Sequence, residues 1–283
     1  IELNLKKKLG DVDILLGGPP CQGHSDLNNH TRRNDPRNQL YSVMARAASV
    51  LKPNHVIIEN VPGVKHSLDG IVSMTENALI KIGYDVQSLV LNAKDFGVAQ
   101  SRKRHFTIAS KSDLSNISFL IDAMIQEERS IIWAISDIVD EANIEQAPFR
   151  TSAVHASINK ERIKYLFTHD IYELPDHQRP DCHRLKKHSY KSVYGRLYPD
   201  RPAPTITGGF GSIGQGRFVH PLRQRTVTPH EAARIQFFPD WFDFGDAGRR
   251  KLQMLIGNAV PPKLGFVLAT ALITNEKRLD ENC

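Results

Sequence analysis

Ile14-Leu15-Leu16-Gly17-Gly18-Pro19-Pro20-Cys21-Gln22 is the stretch that decides the fold. A short apolar run ends here in two glycines, which let the backbone turn tightly, and two prolines, which stiffen the exit. Turns at the carboxyl ends of strands in open α/β sheets form the crevice where ligands bind. We therefore expect Cys21 to act as a nucleophile in such a crevice. The alternative is a buried cysteine packed as a small hydrophobic residue.

A second apolar run, Val56-Ile57-Ile58, ends in Glu59 and predicts another strand. The intervening stretch 37–52 carries apolar residues at helical spacing. These residues are Leu40, Val43, Met44, Ala47 and Leu51. A strand, a helix and a strand in this order predict parallel neighbours, so Cys21 and Glu59 should leave the sheet at the same edge. The plainer interpretation of Glu59 is a solvated carboxylate at a strand end.

Further elements follow along the chain. Gln100-Ser101-Arg102-Lys103-Arg104 precedes a predicted strand at 105–109, although such a charged run is often only a solvated face. Thr228-x-x-Glu231 with Pro229 predicts a capping box at the start of a helix. Other helices are predicted at 117–127, 131–139 and 263–273. The fold class that this order predicts is α/β, with a mostly parallel sheet.

The positive charge of the chain is concentrated in one segment. The formal net charge is +6, whereas residues 179–225 hold ten basic residues against Asp181 and Asp200, a net charge of +8. This segment lacks helical periodicity and is rich in Gly, Tyr, His and Pro. We expect strands and loops that present a basic face to a phosphate backbone. A solvated loop region that binds nothing is the alternative.

Cysteine usage and hydropathy restrict the class of protein. Cys21, Cys182 and Cys283 are an odd and widely spaced set, which argues against a disulfide framework and for a reducing compartment. The sequence shows no secretory signal and no long apolar run, so we expect a soluble cytoplasmic chain without a membrane partner. The histidines around Cys182 lack the paired-cysteine spacing of zinc sites, and we expect no metal.

Five motifs, in this order, resemble those of the DNA cytosine-5 methyltransferases. They are Pro20-Cys21-Gln22, Glu59-Asn60-Val61, Gln100-x-Arg102-x-Arg104, the stretch from Arg225 to Asp240, and Gly257-Asn258-Ala259-Val260-Pro261-Pro262. Each is weak alone, but five in family order across nearly the whole chain are a specific signal. The resemblance implies a Rossmann-like, class I methyltransferase-like sheet with helices on both faces. It also implies a smaller, irregular and β-rich target-recognition domain.

The resemblance divides the chain into three parts and assigns roles to its residues. Residues 1–128 would form the catalytic domain, 129–225 the target-recognition domain, and 226–283 a hinge helix and the return to the catalytic domain. Cys21 would attack carbon 6 of a flipped cytosine, and Glu59 would hold a proton at ring nitrogen 3. Arg104 would reach the cytosine oxygen and Arg102 a phosphate.

Cofactor and DNA contacts follow from the same resemblance. The cofactor would be S-adenosyl-L-methionine, with Pro20, Leu40 and Asn258 in its surroundings. The substrate would be double-stranded DNA, as in a prokaryotic restriction-modification system, which places the protein at the nucleoid. The DNA-binding residues would be Gln22, Ser25, Arg37, Arg196 and Thr205.

One part of the family pattern does not occur in this sequence. The family begins with a Gly-rich turn that receives the cofactor, followed by acidic residues for its ribose and adenine. No such segment precedes Cys21, and the first residue is Ile1. We therefore expect a missing N-terminal segment, or a second chain that supplies it, and little activity from this chain alone.

Two other functions agree with parts of the pattern. An RNA cytosine-5 methyltransferase of the same fold would keep Cys21 and Glu59, but the roughly 100 residues from Arg129 to Arg225 favour duplex DNA. A non-catalytic DNA-binding relative is the other alternative. The absence of a cofactor turn before Cys21 favours this non-catalytic alternative. The presence of Cys21, Glu59, Arg102 and Arg104 argues against it.

Overall fold

The computed structural model describes residues 10–20, 40–66, 70–139, 147–185 and 192–281. The chain divides into two compact units. Unit 1 comprises Ile1–Asn92, Lys103–Met124 and Val267–Cys283, and unit 2 comprises Ala93–Arg102 and Ile125–Phe266. The first predicted boundary, at residue 128, lies close to the change of unit at Met124. Residues 226–266 lie in unit 2 together with 129–225. The functional names of the three predicted parts stay predictions.

Unit 1 is built around a four-stranded sheet in the order β1-β2-β4-β3. The strands are β1 (Ile14–Gly17), β2 (His55–Asn60), β3 (Asp85–Asn92) and β4 (Lys103–Ser110). β1 pairs in parallel with β2, as predicted, while β4 is antiparallel to both β2 and β3. Three of these four described strands therefore run in the same direction. The predicted α/β class with a mostly parallel sheet is confirmed.

Helices make up most of the remaining regular structure. In chain order the described α-helices are α1 (Leu40–Leu51), α2 (Ile71–Lys81), α3 (Ile117–Asp122), α4 (Ile131–Ile135), α5 (Ser157–Thr168), α6 (Asp181–Arg184), α7 (Pro229–Ile235), α8 (Arg249–Asn258) and α9 (Pro262–Glu281). The predicted helix at 263–273 extends to Glu281 because polar residues beyond its apolar stretch make tertiary contacts. Asn275 Nδ2 donates to the Asp113 carbonyl at 2.7 Å, and Glu276 pairs with His55.

One face of the sheet packs against α1 and α2. Val56 and Ile58 of β2 share a buried cluster with Tyr41, Ala45 and Ala48 of α1. The predicted stripe of α1 is therefore wrong in part, since Leu40 and Val43 are exposed. Two alanines let the helix approach the sheet closely, and the Tyr41 hydroxyl hydrogen-bonds Thr107 at 2.9 Å.

The opposite face of the sheet is also buried. Side chains alternate between the two faces along a strand, and Ile57, Phe106 and Ile108 are 6%, 1% and 0% exposed. Leu268 and Leu272 of α9 are buried as well. Burial on both faces is the pattern of an α/β sheet covered by helices.

Unit 2 is largely irregular between its helices. Its short parallel strands, β5 (Gly195–Arg196) and β6 (Arg217–Val219), form the two-stranded sheet. One apolar cluster joins α4, α7 and α8, through residues such as Ile131, Ile235 and Leu252. A second cluster joins α5 to the β5–β6 region. Strands and loops were predicted for this part of the chain, and the described strands are short.

The expectation that the sequence has no long apolar run is wrong by length and composition, because the stretch 249–278 is long and apolar enough to cross a membrane on those criteria. It consists of α8 and α9, which are separated by Ala259–Pro261. Its apolar side chains include Leu252, Ile256, Leu264 and Val267, all at most 2% exposed. This burial identifies the apolar residues as parts of a packed core.

A buried ion pair fixes the start of α7. Arg225 donates to both carboxylate oxygens of Glu231, at 2.6 and 2.7 Å. The predicted capping box is confirmed: Glu231 N donates to Thr228 Oγ1, and Thr228 N donates back to the Glu231 carboxylate. His220 Nδ1 accepts from the backbone of Leu222 and Arg223, so its Nε2 carries the proton that faces Glu231 at 3.3 Å.

The Glu231 network predicts how stability depends on pH. Burial acts to raise the pKa of Glu231, but the hydrogen bonds from Arg225 and His220 outweigh it and lower the pKa to about 2. A depressed carboxyl pKa stabilises the fold above its ordinary value of 4.5, and this contribution is lost as the pH falls through about 2.

Glu231→Gln should lower the free energy of unfolding at pH 7 by about 3 kcal/mol, because the Arg225 charge stays behind without its partner. Urea denaturation measures this loss, and the difference from the native chain should shrink below pH 4. Glu161→Gln, on the exposed side of α5, is the matched control and should change stability by less than about 0.5 kcal/mol. Equal losses in the two variants would contradict the prediction.

Candidate active site

The turn that leads to Cys21 is held against the end of β2. Asn60 Nδ2 donates to the Pro19 carbonyl at 3.3 Å. A Cβ at Gly17 would lie 2.2 Å from Met44 Sδ, so glycine lets α1 pack directly on this turn. Cys21 itself lies outside the described residues. The expected exit of the two strands at one edge is nevertheless supported, because the parallel β1 and β2 both end here.

Glu59 and Arg104 form an ion pair beside this turn. Arg104 Nε lies 2.8 Å from Glu59 Oε1, with the side chains 12% and 18% exposed. A Cβ at Gly18 would lie 3.4 Å from Glu59 Oε2. The register pairs Glu59 with Phe106, which places Arg104, two residues earlier in β4, on the same face. Glu59 was predicted to follow its strand. It instead lies inside β2, one residue before the end of the strand.

The ion pair defines the chemistry available at this edge of the sheet. The contact brings a carboxylate and a guanidinium together beside the turn that leads to Cys21. His105 adds no charge beside Arg104, because burial, and then the Lys65 charge, lower its pKa to about 4.

Arg102 lies in unit 2 and is only 2% exposed. Its Nη1 donates to the Ile206 carbonyl at 2.8 Å and its Nη2 to the Gly257 carbonyl at 2.9 Å. These bonds give Arg102 a structural role inside unit 2. Its contact with a phosphate stays a prediction.

Arg196 and Thr205, both predicted to bind DNA, also make internal contacts. Arg196 Nη1 pairs with Asp170 at 3.0 Å, and its guanidinium lies 4.2 Å from the centre of the Phe167 ring. The Thr205 hydroxyl donates to the Ser101 carbonyl at 3.0 Å. These contacts connect parts of unit 2 with one another, and a direct DNA contact of either residue stays a prediction.

The three predicted cofactor residues are accessible to a ligand. Pro20 and Asn258 are exposed, and Leu40 is 42% exposed at the first position of α1. Contact of these residues with a cofactor stays a prediction. The other predicted residues, Gln22, Ser25 and Arg37, lie outside the described residues.

The basic segment carries less free charge than its net charge of +8 indicates. Arg217 pairs with Glu173, Arg225 with Glu231, and Arg196 with Asp170, all of them carboxylates outside 179–225. Arg184 pairs with Asp181 inside the segment. Lys186, Lys187 and Lys191 lie outside the described residues. The predicted basic face therefore included arginines that form ion pairs within the protein.

A cleft of about 570 Å³ in unit 2 holds none of the predicted site residues. Its walls are mainly aromatic and aliphatic. They comprise Trp133, Ala134, Arg234, Phe237, Phe238, Pro239, Pro262, Lys263 and Phe266. The described residues also contain no group of three or more His, Cys, Asp or Glu side chains arranged to hold a metal ion.

Sequence reasoning missed several residues that shape the site. Asn60 binds the turn before Cys21, Gln100 Oε1 accepts from Ile206 N at 2.7 Å, and Gln236 Nε2 donates to the Ile256 carbonyl. Each lies inside a quoted motif. The available signal was a polar residue within an apolar neighbourhood, as for Gln236 between Ile235 and Phe237-Phe238.

Comparison with known proteins agrees with this geometry. The sequence profile of the family described as C-5 cytosine-specific DNA methylase matches residues 1–274. The chain belongs to this family. The Type II methyltransferase M1.BsuMI of Bacillus subtilis (strain 168) is 54% identical over 268 residues, which are 95% of this chain and 62% of that protein. The Type II methyltransferase M.DdeI of Desulfomicrobium norvegicum is 31% identical over 94% of this chain and 74% of its own length.

Solved structures of methyltransferases share the fold of this cytosine-5 DNA methylase family member. The Entamoeba histolytica methyltransferase EhMeth superposes with a TM-score of 0.62 at 20% identity, covering 97% of this chain and 81% of that one. The predicted class I methyltransferase-like fold and the family resemblance are thus confirmed. The chain spans about three fifths of the length of the Bacillus relative.

Proposed function

We propose that this chain carries the catalytic motifs of a DNA cytosine-5 methyltransferase of a restriction-modification system. The observation that supports this most directly is the Glu59–Arg104 ion pair beside the turn that leads to Cys21. A nucleophile, a proton carrier and a cation are thereby assigned to one edge of one sheet. The Type II methyltransferases that resemble the chain support the restriction-modification setting.

In the proposed mechanism, the Cys21 thiolate forms a bond to carbon 6 of the target cytosine. Electron density moves toward ring nitrogen 3, where Glu59 presents a proton, and toward the carbonyl oxygen on carbon 2, where Arg104 stabilises the developing negative charge. Carbon 5 thereby becomes nucleophilic enough to accept a methyl group. Loss of the carbon 5 proton to a base then lets the Cys21–carbon 6 bond break, which restores the aromatic ring and the thiolate.

The methyl group would come from S-adenosyl-L-methionine, whose sulfonium makes it transferable. Among the residues of this chain, Pro20, Leu40 and Asn258 would contact this cofactor, and their exposure is compatible with that role.

The substrate would be double-stranded DNA with the target base flipped out. Both faces of a stacked cytosine are covered, so the thiolate cannot reach carbon 6 within the duplex. Gln22, Ser25 and Arg37 would contact the DNA around the flipped base, while Arg196 and Thr205 organise the recognition region. We place this activity in the prokaryotic cytoplasm at the nucleoid, where the DNA lies.

Glu59→Gln should lower kcat for methyl transfer by about 10²–10³-fold, because the amide keeps the shape but cannot carry the proton to ring nitrogen 3. Tritium transfer from labelled S-adenosylmethionine to DNA measures this in the full-length protein. Affinity for DNA, measured by fluorescence anisotropy, should change less than threefold.

Glu276→Gln is the matched control for this variant. It removes another partly buried carboxylate of unit 1, one that pairs with His55. This control should keep kcat within about twofold of the native protein. Full kcat in Glu59→Gln would refute its assigned role.

A further inference from the structure

The carboxyl end of α8 is held by side chains from two other parts of unit 2. The last four carbonyls of a helix lack partners inside the helix. Here the Ile256 carbonyl accepts from Ala259 N at 3.3 Å and from Gln236 Nε2, and Arg102 Nη2 donates to the Gly257 carbonyl at 2.9 Å. The next residue, Asn258, ends the helix and is exposed. Two buried donors therefore bind the helix directly before an exposed side chain.

Gln236 is completely buried in apolar surroundings. It follows α7, and its neighbours Ile235 and Phe238 belong to the apolar cluster that joins α4, α7 and α8. Burying an amide costs free energy unless its groups are paired. The Oε1 atom of Gln236 has no partner among the described residues, so the amide is retained for its donated bond to Ile256.

Arg102 also binds the segment that contains Ile206 and Gly208. Its Nη1 donates to the Ile206 carbonyl, and Gln100 accepts from the Ile206 amide. A Cβ at Gly257 would lie 2.2 Å from Gly208 N, so α8 touches this segment backbone to backbone. The end of α8 is thus fixed from two directions, and a shift there would move Asn258.

We propose that Gln236 is a positioning residue for cofactor binding, acting through the end of α8 on Asn258. This inference rests on the proposed function and on the role of Asn258 near S-adenosylmethionine. Gln236 touches neither the cofactor nor the reacting atoms. The bond from its amide N–H to the Ile256 carbonyl holds the last turn of α8 in place. The position of this turn determines the position of the Asn258 side chain.

Two substitutions separate this donated bond from the volume of the side chain. Gln236→Met keeps the volume but offers no donor at any pH. Gln236→Glu keeps the shape and can donate to the Ile256 carbonyl only when its carboxyl is protonated. A buried carboxyl that faces a carbonyl oxygen has a raised pKa, so the donor should return as the pH falls from 8 to 6.

The experiment measures KM for S-adenosylmethionine, kcat and the melting temperature of the full-length protein at pH 6, 7 and 8. Gln236→Met should raise KM about tenfold at every pH with kcat within threefold, as expected for loss of one buried hydrogen bond. Gln236→Glu should resemble it at pH 8 and approach the native KM at pH 6. Ile138→Val trims the apolar cluster that also contains Leu252 and Ile256 of α8 but leaves the Gln236 donor in place, so it should lower the melting temperature while KM stays unchanged.

The outcomes divide cleanly. The inference is overturned if both Gln236 variants behave as Ile138→Val does, or if Gln236→Glu at pH 6 remains as impaired as Gln236→Met. If Gln236→Met fails to fold, Gln236→Glu still decides through its KM at pH 6 against pH 8. Absence of methyl transfer to cytosine by the native full-length protein would instead refute the proposed function.

Discussion

Replacing Cys21 with serine is expected to lower methyl transfer by about 10⁴-fold or more, because a serine hydroxyl at neutral pH is a far weaker nucleophile than a thiolate. Duplex DNA with 5-fluorocytosine at the target position provides the direct measurement. Fluorine at carbon 5 cannot leave as a proton does, so the covalent protein–DNA adduct accumulates and can be counted on a denaturing gel. Cys21→Ser should give no adduct.

Cys182→Ser is the matched control for this experiment. Cys182 is an exposed cysteine in unit 2, and its replacement should leave both the adduct and the rate unchanged within about twofold. Full-length protein is needed, because cofactor and DNA must both be bound for turnover. An adduct that persists in Cys21→Ser and vanishes in Cys182→Ser would contradict the assignment of the nucleophile.

Gly257→Ala should cost more stability than the same change at the other described glycines. The new Cβ would lie 2.2 Å from Gly208 N, 2.3 Å from Thr207 C and 2.6 Å from Gly208 Cα. All three are backbone atoms, so no side chain can rotate away. We expect a loss above about 3 kcal/mol in the free energy of unfolding, measured by urea denaturation.

Gly265→Ala, in α9, tests the same chemical change in open space. A Cβ there meets nothing within 4 Å. Alanine in an exposed helix position should stabilise the protein by about 0.5–1 kcal/mol, because glycine loses more backbone entropy on folding. A Gly257→Ala protein as stable as the Gly265→Ala protein would disprove the backbone contact.

Local patterns in the sequence predicted the strands and the motif order. The apolar runs at 14–16 and 56–58 gave parallel neighbours because a helix-length segment separates them. Thr228 and Glu231 predicted the capping box because that motif is a local arrangement of three residues. The five motifs predicted the family correctly, since they depend on residue identity and order along the chain.

Contacts between distant residues could not be predicted in the same way. Arg102 binds carbonyls 104 and 155 residues away, and no local signal separates such an arginine from one that faces DNA. The charge of 179–225 was overstated for the same reason, since the partners Asp170, Glu173 and Glu231 lie outside that window. The buried face of α1 was predicted incorrectly, because the stripe included Leu40 and Val43. The residues that α1 buries are Tyr41, Ala45 and Ala48.

The side chains of Gln100 and Arg102 bind main-chain atoms of Ile206 and Gly257. They bind the amide and carbonyl of Ile206, which every amino acid except proline would supply at that position, and the carbonyl of Gly257. The hydrogen bonds to residue 206 therefore do not depend on its side chain. A change of side chain at residue 206 would alter the packing of the apolar cluster around it while leaving these three hydrogen bonds in place.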